Sequence, residues 1–167
     1  MGIMKLYFLR HASAADVAPS DAERKLTKEG EEESRIAGAA LAELGVKPTR
    51  IFSSPLVRAR QTVEIVAKEL EFSGHLVTIE ELLNDTPTQL LLKALKSHGA
   101  ANELLLVGHM PSLSEHIAAL IDSPSAGGFP LGKGSIACVE LDHLRAGSGQ
   151  LRWLMRQKQL RLITARR

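Results

Sequence analysis

Two histidines and two arginines carry the clearest chemical signal in this sequence: His11, His109, Arg10 and Arg58. Arginine guanidinium groups bind phosphate oxygens with planar, bidentate geometry and stay charged at any working pH. A neutral histidine ring nitrogen carries a lone pair that can attack phosphorus and form a covalent intermediate. A second histidine can stabilise transferring charge or shuttle a proton. These four residue types therefore favour phosphoryl transfer, with the arginines supplying the positive charge in place of a metal.

These side chains share a position relative to short apolar segments that we interpret as buried strands. His11 comes soon after segment 6–9, and His109 comes soon after segment 104–107. Arg58 lies in the first turn of a helix predicted after a third strand. In open α/β sheets, ligands bind beyond the carboxyl ends of the strands. We therefore expect three strand ends to deliver the four side chains to one rim of a sheet.

The rest of the chain supports such a sheet, because strand and helix patterns alternate along it. Strands are predicted at residues 6–9, 50–53, 76–79, 104–107, 136–141 and 151–154. Helices are predicted from Thr27 to a stop at Gly45, from Ser54 onward with Ser54 as N-cap and Pro55 as first helical residue, over 86–96, and from Pro111. The sequence thus predicts one α/β domain over residues 1–167. Its expected form is a three-layer α/β/α sandwich with a mostly parallel central sheet and an antiparallel edge.

Composition places the chain among globular proteins: 44% of its residues are hydrophobic and 24% are charged, which excludes a disordered or fibrous chain. Lysine and arginine total 21 against 19 acidic residues, and this net charge of +2 is too small to indicate nucleic-acid binding. No apolar run approaches the ~20 residues of a membrane span, and no secretory signal is evident. The single cysteine, Cys138, excludes an internal disulfide. We expect a cytoplasmic protein with neither membrane nor nucleic-acid partners.

Four short motifs surround the candidate residues. They are Leu9-Arg10-His11-Ala12, Arg24-Lys25-Leu26-Thr27 with Gly30, Ser54-Pro55-Leu56-Val57-Arg58-Ala59-Arg60-Gln61-Thr62, and Gly108-His109-Met110-Pro111. In this order they resemble the motifs of the histidine phosphatase superfamily, also called phosphoglycerate mutase-like. The long Ser-Pro-x-x-Arg-Ala-x-Gln-Thr string is the most specific of them. The short chain most resembles the small SixA-type branch, the phosphohistidine phosphatases.

The resemblance implies a role for each candidate residue. His11 would be the nucleophile that becomes phosphorylated, and Arg10, Arg58 and His109 would surround the phosphoryl group. Arg24 would contact substrate, although a solvated loop arginine is an equal alternative. The implied reaction needs no metal or other cofactor. The implied partner is a phosphorylated, histidine-containing phosphotransfer protein, with phosphate or a similar anion in the site.

Two departures from the family pattern bear on the substrate. The family glycine after the nucleophile is Ala12, which disfavours a positive φ. The general acid of larger members has no clean counterpart among Glu80, Glu81, Asn84 and Asp85, for which we expect surface roles. A phosphate ester needs such an acid because an alkoxide leaves badly, whereas a protonated imidazole leaves easily. The missing acid and the absence of long lid insertions favour phosphohistidine on a protein.

Two other functions stay open from the sequence: hydrolysis of a small phosphate ester, and a non-catalytic module that binds phosphorylated or acidic partners. The basic segment 152–167 could contact an acidic partner, but we interpret it as a solvated terminal segment. Arg60 is expected to point away from the site and serves as a control for Arg58.

Overall fold

The apolar segments form one six-stranded sheet in the computed structural model, which describes residues 2–165 of the chain. The strands are β1 (Met4–Arg10), β2 (Arg50–Ser53), β3 (Leu76–Thr78), β4 (Glu103–Gly108), β5 (Ile136–Leu141) and β6 (Gly149–Met155). The helices are α1 (Lys28–Glu43), α2 (Val57–Glu69), α3 (Thr88–Ser97), α4 (Ser112–Leu120) and α5 (Gln157–Thr164). Short 3-10 turns lie at Asp21–Glu23, Glu80–Leu82 and Ala126–Gly128. The six predicted strands and the first four helices are confirmed.

The strand order across the sheet is β3-β2-β4-β1-β5-β6. Strands β3, β2, β4 and β1 pair in parallel, whereas β5 runs antiparallel to both β1 and β6. The predicted, mostly parallel sheet with an antiparallel edge is therefore confirmed. This order makes β2, β4 and β1 neighbours although they are far apart along the chain.

The central strands are buried on both faces, which explains why segment 6–9 shows no alternation of apolar and polar residues. Leu6 and Phe8 pack on one face, against the apolar sides of α3 and α4. Tyr7 and Leu9 pack on the other face, against α1, α2 and α5. The three-layer sandwich is confirmed, whereas the extent of the domain, residues 1–167, stays a prediction. In the described part of the chain, no helix is long and apolar enough to cross a membrane.

Helix α5 corrects the prediction of a solvated terminal segment. Its fully buried Leu160 and half-buried Ile163 pack beneath α1, while its basic side chains remain exposed. The backbone N–H of Arg156 donates to the Gln159 side chain and closes the first turn. The apolar stripe of this short basic helix is too narrow to stand out in the sequence, so tertiary packing stabilises it. Arg166 and Arg167 lie outside the described residues.

The start of α2 also differs from the prediction. The helix begins at Val57 after Leu56, and no side chain caps it. Ser54, expected as its N-cap, lies before the helix and directs its hydroxyl toward another segment, as described below. A serine followed by proline satisfies the local rule for a helix start, but a stronger partner is available elsewhere in the fold.

The loop after β1 is bound to the first two turns of α1. The backbone N–H and the hydroxyl of Ser13 both donate to the Glu33 carboxylate, at 2.7 and 2.9 Å. The Thr27 N–H donates to the Ser13 carbonyl at 3.0 Å, and Thr27 caps α1 by accepting from the Gly30 N–H. A side chain at Gly30 would collide with the Ser13 backbone. The glycine therefore permits a close approach of loop and helix.

We expect Gly30→Ala to destabilise the protein by about 1–3 kcal/mol, because the added methyl group overpacks a site walled by backbone. Alanine elsewhere in a helix would be stabilising by up to about 1 kcal/mol. Urea unfolding followed by circular dichroism measures the change. Gly128→Ala is the control, since a Cβ there meets open space. Equal stability of the two variants would contradict the prediction.

Candidate active site

The candidate residues converge because their strands end level with one another. Arg10 at the end of β1 pairs with Gly108 of β4, and Ser53 at the end of β2 pairs with Val107. The residues that follow these three strands therefore emerge side by side at the carboxyl edge of the sheet. The rings of His11 and His109 are 5.0 Å apart between centroids. The structure thus places the two histidines at the rim where the sequence predicts them.

His11 is held in one tautomer by its two polar neighbours. Its Nδ1 lies 2.8 Å from the carbonyl oxygen of Ala12, and its Nε2 lies 3.4 Å from Nε of Arg58. A carbonyl oxygen can only accept and a guanidinium can only donate. The ring proton therefore sits on Nδ1, and Nε2 keeps its lone pair. This is the arrangement that a nitrogen nucleophile requires.

The surroundings also keep His11 uncharged. The pKa of His11 is lowered to about 3, chiefly by burial, and electrostatic interactions with His109 and with the cationic Arg58 and Arg10 act in the same direction. The hydrogen bond to Ala12 opposes this by raising the pKa, but it does not outweigh burial. At neutral pH the ring is therefore a neutral base with an available lone pair.

Two guanidinium groups border the histidine pair. Arg58 is only 7% exposed, and it donates to the backbone oxygen of Asp21 at 2.8 Å and to its carboxylate at 3.2 Å. Arg10 donates from Nη1 to the Leu131 carbonyl at 3.0 Å, while its buried Nε has no partner among the described residues. Arg60, two residues after Arg58, is exposed, as expected for the control position.

His109 is 2% exposed and its Nε2 lies 2.6 Å from the hydroxyl oxygen of Ser54. Burial, together with the charges of Arg58 and Arg10, lowers its pKa to about 4, and Asp21 opposes this shift. This ring is also neutral at physiological pH. Its other nitrogen, Nδ1, is buried and has no partner among the described residues.

Arg24 is connected to Arg58 indirectly, through Asp21. It donates to the Ala15 carbonyl at 2.7 Å and to the Asp21 carboxylate at 3.2 Å. Asp21 thus links Arg24 to Arg58, and with Asp16 it borders a cavity of about 330 Å³. Sequence reasoning missed Asp21, since a loop carboxylate three residues before an arginine has no distinguishing pattern. Substrate contact by Arg24 stays a prediction.

Comparison with known proteins agrees with the geometry. Residues 6–86 match the family model of the histidine phosphatase superfamily (branch 1). The chain is 32% identical over 165 residues to the phosphohistidine phosphatase SixA of Escherichia coli, covering 97% of this chain and 99% of that protein. The chain belongs to the histidine phosphatase superfamily.

Two further likenesses extend this result. An uncharacterized protein of a Picosynechococcus species is 39% identical over 121 residues, covering 70% of this chain and 73% of that protein. The solved structure of the protein histidine phosphatase SixA complexed with tungstate superposes with a TM-score of 0.83 at 30% identity, covering 94% of this chain and 99% of that chain. The predicted family and fold class are confirmed.

The last two residues of the superfamily's Ser-Pro-x-x-Arg-Ala-x-Gln-Thr motif brace the site in this chain. The buried hydroxyl of Thr62 accepts from the Ala12 N–H at 3.1 Å and donates to the Arg58 carbonyl at 2.7 Å. Gln61 accepts from the Leu26 N–H at 2.8 Å and holds the loop that carries Asp21. These residues tie the segments of His11 and Arg58 together.

The two departures from the histidine phosphatase pattern have simple structural outcomes. Ala12 is fully buried and does not adopt a positive φ, so alanine fits at this position. The exposed Asn84 joins the start of α4 by donating to the Met110 carbonyl and accepting from the Ser112 N–H.

Within residues 2–165, no cluster of three or more His, Cys, Asp or Glu side chains could hold a metal ion.

We expect Thr62→Val to destabilise the protein by about 1–3 kcal/mol, because it leaves the buried Ala12 N–H without a partner at unchanged side-chain size. Chemical denaturation of purified variants gives the free energy of unfolding. Thr62→Ser keeps the hydroxyl and should stay close to the unmodified protein. A valine variant as stable as the serine variant would show that the brace is dispensable.

Stability should fall as the solution is acidified from about pH 7 to about pH 5. The pKa values of His11, His109 and His116 drop on folding to about 3, 4 and 4, mainly through burial. The unfolded chain therefore binds protons below about pH 6.5 that the native state excludes. Each histidine removes up to about 1.4 kcal/mol per pH unit over that window.

Urea unfolding at several pH values measures this slope. His116→Gln, which lies outside the site, should make the decline with acidification shallower. His75→Gln, at an exposed position, should leave the slope unchanged. A free energy of unfolding that does not vary over the window would contradict the buried, neutral state of these rings.

Proposed function

We propose that this protein is a phosphohistidine phosphatase that hydrolyses phosphohistidine on a protein through a covalent phospho-His11 intermediate. One observation carries the proposal: the His11 ring is neutral, its proton is held on Nδ1 by Ala12, and its Nε2 lone pair lies beside the Arg58 guanidinium. One site thus contains a nucleophile, a cation for the phosphoryl oxygens and a second buried imidazole. The similarity to an Escherichia coli phosphohistidine phosphatase supports the same activity.

The proposed reaction proceeds in two displacements. In the first, Nε2 of His11 bonds to the substrate phosphorus while the bond from phosphorus to the substrate imidazole breaks. That imidazole is protonated on its second ring nitrogen, so it leaves with the electron pair as a neutral ring. In the second, water attacks the phosphorus and the bond to Nε2 breaks, which returns the electron pair to His11. Both protons of the water depart with the phosphate, and His11 keeps its proton on Nδ1. Arg10, Arg58 and His109 hold the phosphoryl oxygens through both steps, where charge is spread over the equatorial positions.

The surroundings favour a nitrogen leaving group over an alkoxide. Among the described residues, no hydrogen bond or ion pair joins Glu80, Glu81 or Asp85 to His11 or His109. The amide of Asn84 and the backbone N–H of Asp85 bind residues at the start of α4 instead. The carboxylate of Asp21 has a lowered pKa through its bonds to Arg24 and Arg58, so it is ionised and cannot act as an acid. A protonated imidazole leaves without an acid, whereas an alkoxide requires one.

We propose a histidine-containing phosphotransfer protein in the cytoplasm as the natural substrate. The side chain of Asp21 at the edge of the site is 67% exposed, so a folded protein can bring a phosphorylated side chain to Arg58. The likeness to the tungstate complex of a protein histidine phosphatase supports an oxyanion in the site, since tungstate resembles phosphate in shape and charge. Arg24 would contact the incoming protein next to the phosphoryl group.

A direct test supplies the enzyme with a radiolabelled phosphohistidine protein and, separately, with sugar and nucleotide monophosphates. The unmodified enzyme should release phosphate from phosphohistidine and carry a transient label that is labile in acid. His11→Ala should carry no label, and Arg58→Ala should lose about 10²–10³-fold in kcat through loss of one charged donor. Arg60→Ala, an exposed change on the same helix, should retain full activity.

Other outcomes would replace the proposal. Faster turnover of small phosphate esters would assign a phosphomonoesterase. Tight binding of phosphate without any labelled enzyme or product would assign a non-catalytic phosphate-binding module.

A further inference from the structure

The hydroxyl of Ser54 is the polar group in the site that the proposed mechanism does not yet use. Ser54 has no exposed surface, and its oxygen lies 2.6 Å from Nε2 of His109. The two residues are 55 positions apart and belong to different strand ends. Because a buried hydrogen bond of this length fixes both partners, Ser54 can control the His109 ring.

The direction of this bond follows from the available donors and acceptors. A serine hydroxyl has one proton to donate and two lone pairs. Among the described residues, the other neighbour of the Ser54 oxygen is the backbone N–H of Leu56, which donates to it at 3.4 Å. The buried hydroxyl proton therefore has Nε2 of His109 as its acceptor. The opposite direction would leave two buried groups without a partner, the hydroxyl proton and the Nδ1 lone pair, whereas this direction leaves only the Nδ1–H.

A neutral imidazole has a single ring N–H proton. If one nitrogen accepts a hydrogen bond, that proton must therefore lie on the other nitrogen. The lowered pKa of His109 keeps the ring neutral at physiological pH. If Nε2 accepts from Ser54, the proton must lie on Nδ1. That nitrogen is buried and has no partner among the described residues. The His109 ring lies 5.0 Å from the His11 ring between centroids, and the charges of Arg58 and Arg10 act on it. A buried N–H without an acceptor on such a ring can donate to an oxygen that arrives with the substrate.

We propose that Ser54 is a positioning residue that holds His109 in the Nδ1–H tautomer, so that the ring presents a hydrogen-bond donor to a phosphoryl oxygen. The inference rests on the proposed function, because it assigns His109 to the same phosphoryl group. The opposite tautomer would direct a lone pair at an oxyanion and repel it. With its Nδ1–H held in place by Ser54, the neutral ring stabilises a phosphoryl oxygen as a cation would, and no further charge has to be buried.

Nitrogen NMR of the histidine rings in the full chain reads the tautomer directly. Inorganic phosphate and tungstate serve as probes of the donor, and a His109→Gln variant assigns the signals. In the unmodified protein, the His109 ring should show a protonated Nδ1 and an unprotonated Nε2. Adding either anion should shift the Nδ1–H signal.

Variants then link the tautomer to the reaction. Ser54→Ala should give a mixture of the two tautomers and lower kcat for phosphohistidine by about tenfold, a change of the size expected for one hydrogen bond. Ser54→Thr keeps the hydroxyl and should restore both properties. Ser53→Ala is the matched control, because Ser53 is an adjacent buried serine whose hydroxyl donates to a carbonyl and not to a histidine.

The outcomes separate this inference from the proposed function. A proton on Nε2 of His109 in the unmodified protein overturns the inference even if every variant fails to fold. The same holds if Ser54→Ala keeps one tautomer and full activity, or if Ser53→Ala matches its effects. Absence of phosphohistidine turnover in the unmodified enzyme, with the Nδ1–H signal in place, would instead overturn the proposed function alone.

Discussion

The site depends on an uncharged imidazole that is buried beside two permanent cations. Burial and the guanidiniums of Arg10 and Arg58 both oppose protonation of His11, while the Ala12 carbonyl holds the single ring proton on Nδ1. In the proposed reaction, the same cations that keep the ring neutral attract a phosphoryl dianion to its free nitrogen. One set of charges would then prepare the nucleophile and bind its substrate, and the effect is strong where water is excluded.

The neutral His11 ring and the two guanidiniums can act together only if their side chains are held within fractions of an ångström. The fold holds their segments in place through neutral hydrogen bonds. The backbone N–H of Ala12 reaches Thr62, and the carbonyl of Arg58 reaches the same hydroxyl. The close contact at Gly30 presses the loop after β1 against α1. The four motifs thus combine the residues proposed to bind the phosphoryl group with residues that hold the segments in place.

The leaving group is the second constraint on the chemistry. A site built from arginines and neutral histidines stabilises charge on transferred oxygens but offers no acid to a departing alkoxide. An imidazole leaving group fits this limitation, because it carries its own proton on the second ring nitrogen. The carboxylate of Asp21, bound to Arg24 and Arg58, tempers the positive charge at the exposed edge of the site.

The sequence alone identified His11, Arg58 and His109 as neighbours, because each follows an apolar strand and lies in a recognisable motif. It also predicted the layered α/β fold, since apolar runs and helical stripes are local features. It did not reveal α5, the link from Asp21 to Arg58, or the contact of Ser54 with His109. Those depend on partners that are distant in sequence, or on packing against another helix, and neither leaves a local pattern. Ser54 matches the local pattern of a helix N-cap, but in the folded chain its hydroxyl binds the buried His109 imidazole instead. That hydrogen bond is the stronger of the two because water is excluded from it.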